Sequence, residues 1–340
     1  MDIHTKIPLK NFTTMKLGGD ARFMVDAHTA EDVADICKKA KQNSLSTFVL
    51  GGGSNVIATD KGFDGIVIRM RIQGFEIIAD DIGSTTIKLG GGENWDSIVK
   101  RAVEMRLSGV EAMAAIPGTA GAAPVQNVGA YGQEIADTLV SLEAYDKENE
   151  QFVTLQNADC GFSYRDSLFK NEEKNRYVIT SITIRLSKDM PKPPFYAALQ
   201  KYLDEHSINI YTPEIIRDAV VKIREYKLPD PRILPNTGSF FKNAIVEEWR
   251  LNDLRKIDPN IPVYEMGDDQ YKIPSGWLIE QVGLKGALLH GMRVYDKNAL
   301  VLVNESATSY KDLMDARDEI IYQVRRKFSI EIQQEPIEIQ

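Results

Sequence analysis

The stretch Ile116-Pro117-Gly118-Thr119-Ala120-Gly121-Ala122-Ala123-Pro124-Val125-Gln126-Asn127-Val128-Gly129-Ala130-Tyr131-Gly132 holds no charged side chain, and the uncharged run already starts at Ala112. A membrane helix is excluded. Pro117, Pro124 and four glycines beside Gln126 and Asn127 would leave backbone polar groups unsatisfied in lipid. A tightly packed core loop is the plainer reading, yet it gives so many glycines and amides no purpose. Small residues instead let a flat ring and a diphosphate come close to the backbone, and Gln126 and Asn127 can orient them. The segment therefore reads as a buried loop that lines a ligand.

Toward the N-terminus, Trp95, Ile98, Val99, Ala102 and Val103 recur at helical spacing and predict a helix with one buried face. Gly90-Gly91-Gly92 precedes it and reads as structural, because no Ser-Asn tail follows. Thr47-Phe48-Val49-Leu50 reads as a strand that runs straight into Gly51-Gly52-Gly53-Ser54-Asn55. Glycines there let successive N–H groups converge on phosphate oxygens, although a glycine triplet also makes an ordinary turn. Residues 23–26 and 66–68 give further strands. Thr29-Ala30-Glu31-Asp32 opens a capped helix that buries Val33, Ile36, Cys37 and Ala40. The result is a βαβ-like unit with a glycine loop at a strand's carboxyl end, where α/β folds hold ligands.

Toward the C-terminus, residues 139–145 and 177–186 read as long strands. The proline-rich Lys188-Asp189-Met190-Pro191-Lys192-Pro193-Pro194 marks a linker or loop. Thr212-Pro213-Glu214 starts a helix with Ile216, Ala219, Val220 and Ile223 inward. A last helix, from about residue 309 to 327, buries Leu313, Ala316, Ile320, Ile321 and Val324. The expected division is into three lobes, 1–68, 69–190 and 191–328, with a strand in 329–340 returning toward the first. Neither G-x-x-x-x-G-K-[ST] nor G-x-G-x-x-G occurs, which disfavours a P-loop kinase and a Rossmann dehydrogenase.

Composition narrows the class. Of 340 residues, 43% are hydrophobic and 26% charged, the ordinary globular balance. The net charge is −8 and no Lys/Arg block occurs, so neither nucleic acid nor an anionic membrane is an expected partner. Two cysteines, Cys37 and Cys160, suit a reducing cytosol. Four scattered histidines show no ligand spacing, so no metal is expected. The N-terminal Met-Asp-Ile-His-Thr-Lys lacks the apolar core of a signal peptide, and the expectation is a soluble cytoplasmic protein.

Several motifs together resemble one family. Asn11-Phe12-Thr13-Thr14-Met15-Lys16-Leu17-Gly18-Gly19, the 51–55 loop and the 116–132 segment come first. Gly161-Phe162-Ser163-Tyr164-Arg165-Asp166-Ser167 and Tyr226-Lys227-Leu228-Pro229-Asp230-Pro231 follow, then Gly238-Ser239-Phe240-Phe241-Lys242-Asn243 and Ser275-Gly276-Trp277-Leu278-Ile279-Glu280-Gln281. In this order they are similar to the UDP-N-acetylenolpyruvoylglucosamine reductases, flavoenzymes that complete UDP-N-acetylmuramate for peptidoglycan synthesis. The resemblance implies an α+β FAD-binding fold of the vanillyl-alcohol oxidase (PCMH) type. In it two α/β lobes clasp a non-covalent FAD and a third α/β lobe covers the substrate. It further implies NADPH as hydride donor, UDP-N-acetylglucosamine enolpyruvate as substrate, and a monomer. The cofactor contacts are then expected at Gly51, Gly52, Gly53, Ser54 and Asn55, and along Ile116, Pro117, Gly118, Thr119, Gly121, Ala122, Ala123, Gln126, Asn127, Gly129, Ala130 and Tyr131.

The same resemblance implies three catalytic groups. Arg165 is a cation beside the substrate carboxylate, where negative charge builds after hydride addition. Read alone, it would more simply be a structural salt-bridge arginine. Ser239 is the proton donor to the substrate carbon; read alone, it is a turn serine after Gly238. The C-terminal carboxyl falls on Glu335 when counted from Phe328, with Glu338 as the alternative, because Ile332-Gln333-Gln334-Glu335-Pro336-Ile337-Glu338 departs from the usual Leu-Glu-Pro-Glu-Val. Tyr164 and Tyr196 match substrate-side tyrosines, Tyr196 in the extra loop of the longer family form; packing on Tyr202 is its simpler explanation. Lys227 and Asn243 match positions that hold phosphates. Arg224 is a candidate for the flavin, and Asn298 stands where a longer glutamine is commoner. Another FAD oxidase or dehydrogenase of this fold, or a flavin-binding sensor, are the competing readings.

Overall fold

The strand that carries the glycine loop, Ser46–Leu50, lies at one edge of a four-stranded sheet. The sheet order is Ile3–Pro8, Asp20–Ala27, Phe63–Met70, Ser46–Leu50 in a computed structural model that describes residues 2–171 and 173–339. Asp20–Ala27 and Ser46–Leu50 both pair in parallel with Phe63–Met70, Val25 and Val49 each opposite Ile68. The βαβ expectation is thus filled by a later strand inserted between the two. The helix Ala30–Gln42 begins at a capping box in which Thr29 Oγ1 accepts from Asp32 N–H at 3.1 Å and Asp32 Oδ2 accepts from Thr29 N–H at 3.1 Å. Its Val33, Ala34, Ile36, Cys37 and Ala40 face Val25, Ile66 and Ile68 in one buried cluster.

A second, antiparallel sheet has the order Gln151–Gln156, Leu139–Asp146, Tyr177–Ser187, Ser84–Gly90, Phe75–Asp80. The helix Trp95–Glu104 buries the five residues expected from its spacing. Its start is capped by Asn94, whose Oδ1 accepts from Ser97 N–H at 2.9 Å. The 116–132 segment crosses this sheet as short turns: the Gly121 N–H donates to Gly91 O at 2.9 Å, and the Trp95 N–H to Gly118 O at 3.2 Å.

By contacts the chain forms two compact units, one of residues up to Ile7 with Ala21–Gly53 and Phe63–Glu225, the other of Pro8–Asp20, Ser54–Gly62 and the chain from Tyr226. The first unit contains both sheets above. It also takes in residues that the sequence reading put in a third lobe. Leu199 and Leu203 of the helix Ala197–Glu205, and Ile216, Ala219, Val220 and Ile223 of Pro213–Lys227, join the core around Trp95. The proline-rich stretch is thus a loop within one unit, and from Phe63 onward the chain does not change units until Glu225.

The second unit is built on its own core. Leu278 and Ile279 of the helix Ser275–Gln281 and Leu313, Ala316, Ile320, Val324 and Phe328 of Tyr310–Phe328 pack with Phe240, Phe241 and Ile332. A three-stranded sheet runs Ala244–Glu247, Gln270–Ile273, Tyr264–Gly267. Near the C-terminus, Ile337–Ile339 pairs in parallel with Val56–Ala58. The long helix starts where Ser309 Oγ accepts from Asp312 N–H at 3.1 Å. There the Asp60 carboxylate also accepts from the N–H groups of Tyr310 (2.7 Å) and Lys311 (3.2 Å), a negative charge at the positive end of the helix. Among the described residues, no helix is long and apolar enough to cross a membrane, and no cluster of His, Cys, Asp and Glu is arranged to hold a metal.

Candidate functional site

In the first unit the two small-residue loops lie against each other. A Cβ placed on Gly52 would sit 2.9 Å from Gly118 Cα, and one on Gly51 would sit 2.6 Å from Thr119 Oγ1 and 3.4 Å from the Ala122 methyl. Gly121 packs equally closely on Gly91, with its would-be Cβ 3.0 Å from Gly91 O. Gly90-Gly91-Gly92 is therefore the floor under the 116–132 segment. The glycines in these loops serve close backbone-to-backbone approach, a requirement that stands beside the ligand contact expected of them.

These loops also offer donors. Among the described residues, the N–H groups of Gly51, Gly52, Gly118 and Thr119 have no acceptor within the chain. Gly53 and Gly118 take left-handed backbone conformations, with φ of +69° and +138°, and both depart from extended geometry at the loop tips. Four unused amides on two touching loops, with few side chains in the way, form the kind of nest that a diphosphate fills. The residues therefore fit the pyrophosphate of FAD. Ala123 is buried in the core beneath the loop, while Ile116, Ala122, Gln126 and Ala130 are half-buried.

The entrance to the segment is clamped at Ala115, whose φ is +54°. Asp96 Oδ1 accepts from the Ala115 N–H at 2.6 Å, and Arg224 Nε donates to the Ala115 carbonyl at 3.3 Å. Arg217 stands 3.7 Å from the same Asp96 oxygen. Burial lowers the Arg224 pKa, with the nearby Tyr131 and Asp96 opposing and Arg165 adding to the shift. Burial raises the Tyr131 pKa, against the pull of Arg224. No sequence signal pointed to Asp96 or Arg217; an acid and an arginine on two different helices carry no mutual spacing.

Arg165 occupies a tight turn in which Ser163 and Asp166 exchange N–H···O bonds of 3.2 Å, and its own φ is +55°. Its Nη1 donates to the Asn127 carbonyl at 3.3 Å and its Nη2 to the Gly129 carbonyl. The Asn127 side chain is spent inside the protein. It is fully buried, donates through Nδ2 to Ser163 O and accepts at Oδ1 from the Ala136 N–H, both at 3.1 Å. That departs from the expected role of Asn127 in orienting the cofactor. Tyr164 flanks the guanidinium, 5.3 Å from ring centroid to Arg165 Cζ. Tyr196, half-exposed at the start of the helix Ala197–Glu205, meets Tyr131 edge to face at 6.1 Å. Tyr202, the partner of the simpler explanation, stacks on His206.

In the second unit, residues 239–242 run as an extended segment between two others. The Phe240 N–H donates to Leu300 O at 2.7 Å, while the Glu335 N–H donates to Phe240 O at 2.9 Å and the Lys242 N–H to Gln333 O at 2.8 Å. Glu335 is thus paired with Phe240, the residue next to Ser239, although the two segments are far apart in sequence. Gly238, with φ +71°, turns the chain just before Ser239, and its N–H is held by Asn236 Oδ1 at 2.8 Å. The alternative carboxylate is engaged elsewhere: Glu338 lies 3.6 Å from Arg317 and accepts from Gln334 Nε2 at 3.3 Å. Burial, and then the Glu338 carboxylate, push the Tyr310 hydroxyl up to about 12 against the pull of Arg317.

The remaining candidates of this unit have identifiable surroundings. Asn243 Oδ1 accepts from the Ser275 N–H at 3.1 Å, tying residue 243 to the start of the helix Ser275–Gln281. Asn298 folds back on its own turn, with Oδ1 accepting from the Leu300 N–H at 3.2 Å. Lys227 is exposed at the end of Pro213–Lys227.

The chain also matches known proteins. A family model described as an FAD binding domain covers residues 21–156, and one described as UDP-N-acetylenolpyruvoylglucosamine reductase, C-terminal domain, covers residues 230–339. A UDP-N-acetylenolpyruvoylglucosamine reductase from Ralstonia nicotianae is 42% identical over 335 residues, 98% of each chain. Another from Flavobacterium johnsoniae is 37% identical over 336 residues, 98% of this chain and 99% of its own. The crystal structure of a UDP-N-acetylenolpyruvylglucosamine reductase from Thermus caldophilus aligns over 100% of both chains with a TM-score of 0.69 at 21% identity, which is likeness of fold.

Proposed function

The chain belongs to the UDP-N-acetylenolpyruvoylglucosamine reductase family, and from that premise we propose how its residues divide the reaction. The activity is the NADPH-dependent reduction of the enolpyruvyl group of UDP-N-acetylglucosamine enolpyruvate to UDP-N-acetylmuramate, a step of peptidoglycan synthesis and hence of cell-wall growth, cell shape and division. The fold is the α+β FAD-binding fold of the vanillyl-alcohol oxidase type. The chemistry that FAD supplies when bound is hydride transfer, taken from NADPH and delivered to the terminal enolpyruvyl carbon.

The chain's own part is charge and a proton. Arg165 holds a cation beside the substrate carboxylate, lowering the cost of the negative charge that develops on the adjacent carbon. Ser239 donates the proton to that carbon. A hydroxyl is a weak acid in water, but a carbanion is far more basic, and hydrogen-bond range suffices for the transfer. Glu335 polarises the same carboxylate. Lys227 and Asn243 hold phosphates of the nucleotide ligands, Tyr164 and Tyr196 border the substrate, and the amides of the 51–55 and 116–132 loops hold the FAD pyrophosphate. We place the enzyme in the cytoplasm as a monomer, the compartment supported by two buried, unpaired cysteines.

The observation that supports this reading is the pairing of Glu335 with Phe240, the residue next to Ser239. Stopped-flow kinetics of Ser239→Ala test it. Flavin reduction by NADPH should stay near the wild-type rate, since that half needs no carbon acid. Reoxidation by the enolpyruvyl substrate should slow by about two powers of ten or more. Equal small losses in both halves would make Ser239 a turn residue.

A further inference from the structure

We propose that Asn127 is a positioning residue for Arg165: its backbone carbonyl receives the guanidinium while its side chain pins the turn from which Arg165 projects. The inference rests on the catalytic reading of Arg165.

Two observations carry it. The first is conformational. Asn127 has a φ of +46° and Arg165 a φ of +55°, both in the left-handed region that side-chain-bearing residues adopt only when their surroundings insist. Asparagine tolerates that region better than most residues. In this conformation the Asn127 carbonyl meets Arg165 Nη1 at 3.3 Å, and the Gly129 carbonyl meets Nη2. Two acceptors two residues apart fix the plane of a guanidinium whose N–H donors radiate in that plane.

The second observation is the reach of the side chain. Asn127 Nδ2 donates to Ser163 O, the residue that opens the Arg165 turn, and Oδ1 receives the Ala136 N–H. One fully buried amide therefore ties three segments together. A second link runs in parallel, from Ser167 Oγ to Val125 O at 2.6 Å, so the turn is docked on both sides of Arg165. A buried amide that only satisfied the core would not need to hold one turn twice, Arg165 through its backbone carbonyl and Ser163 through its side chain.

The test is a double-mutant cycle on the FAD-loaded enzyme. Asn127→Gly keeps the left-handed backbone accessible and deletes both side-chain bonds. Reoxidation by the enolpyruvyl substrate should slow by roughly a hundredfold, the cost of about 1 Å of misplacement of a catalytic group, with reduction by NADPH within about twofold of wild type. In an Arg165→Ala background the same change should cost less than about twofold more, because it acts through a side chain already gone. Amide hydrogen exchange should quicken at residues 163 and 166 and stay unchanged in the strand Leu139–Asp146. Should Asn127→Gly fail to fold, Asn127→Asp, which keeps the acceptor for Ala136 and loses the donor to Ser163, carries the same cycle.

Losses that multiply in the double variant, equal slowing of both half-reactions, or unchanged exchange at 163 and 166 would each overturn the proposal. If Arg165→Ala leaves reoxidation intact, the catalytic reading of Arg165 falls, and this inference with it. If Arg165→Ala is slow and the Asn127 loss multiplies with it, the inference alone falls.

Discussion

Gly52 shows how much one hydrogen atom can hold. Its missing side chain lets the two loops touch, and a methyl there would meet Gly118 Cα at 2.9 Å, a backbone atom with no rotamer to escape through. Gly52→Ala should therefore lose about 2 kcal/mol of stability by overpacking and lose FAD along with it. Gly83 is the control, with nothing within 4 Å of the added methyl. Gly83→Ala should be neutral or slightly stabilising, since it only restricts the unfolded chain. Melting temperature and bound flavin, measured side by side, decide the point: Gly52→Ala with wild-type melting but no FAD would make the glycine a ligand contact alone. At this scale a motif in the sequence names a residue type, as for Arg165, Ser239 and the glycine loops. It was silent on direction. Nothing in Gln126-Asn127 says that the second amide turns inward to Ser163 and Ala136.

Elements were readable in proportion to their length and their caps. The helices Ala30–Gln42 and Tyr310–Phe328 announce themselves by Thr29 with Asp32 and Ser309 with Asp312, followed by a long apolar period. The three-residue strands Val56–Ala58 and Ile337–Ile339 carry too few residues to show a period, and they find each other only in the fold. The same holds for the four-residue strands around Tyr264–Gly267. That short C-terminal strand has a measurable role. Its Ile337 N–H donates to Asn55 O at 3.0 Å, so the tail of the chain holds the last residue of the glycine loop. Ile337→Pro deletes this donor and should weaken FAD binding as well as lower the unfolding midpoint. Flavin fluorescence during a urea titration reads both; FAD released at the wild-type urea concentration would show that the strand does not support the loop.

For the molecule as a whole, stability against acid should be governed by a few held carboxylates. Arg176 donates to Asp146 through Nε at 3.0 Å and Nη2 at 2.7 Å, and this pairing keeps the nearly fully buried Asp146 carboxyl well below the usual carboxylate range despite its burial. A carboxyl depressed in the folded state stabilises fully above its unfolded value, about 3.9, and that contribution drains away as pH falls toward the folded value. Asp146→Asn should cost about 3 kcal/mol at pH 7, with the gap to wild type constant from pH 8 to 5 and shrinking below about pH 4. Thermal melts across that range check it, and a gap that widened in acid would contradict the sign. The three lobes read from the sequence followed its order, whereas the two compact units interleave it, because a linear reading cannot see residues 54–62 joining the chain beyond Tyr226. That interleaving sets an order of manufacture. The stretch Phe63–Glu225 can close over itself as it leaves the ribosome, but Val56–Ala58 must wait for Ile337–Ile339. At about 5–20 residues per second the early strand spends tens of seconds with an open edge. A slowly translated message would prolong that exposure, making yield in the cell sensitive to codon choice in the last third of the gene.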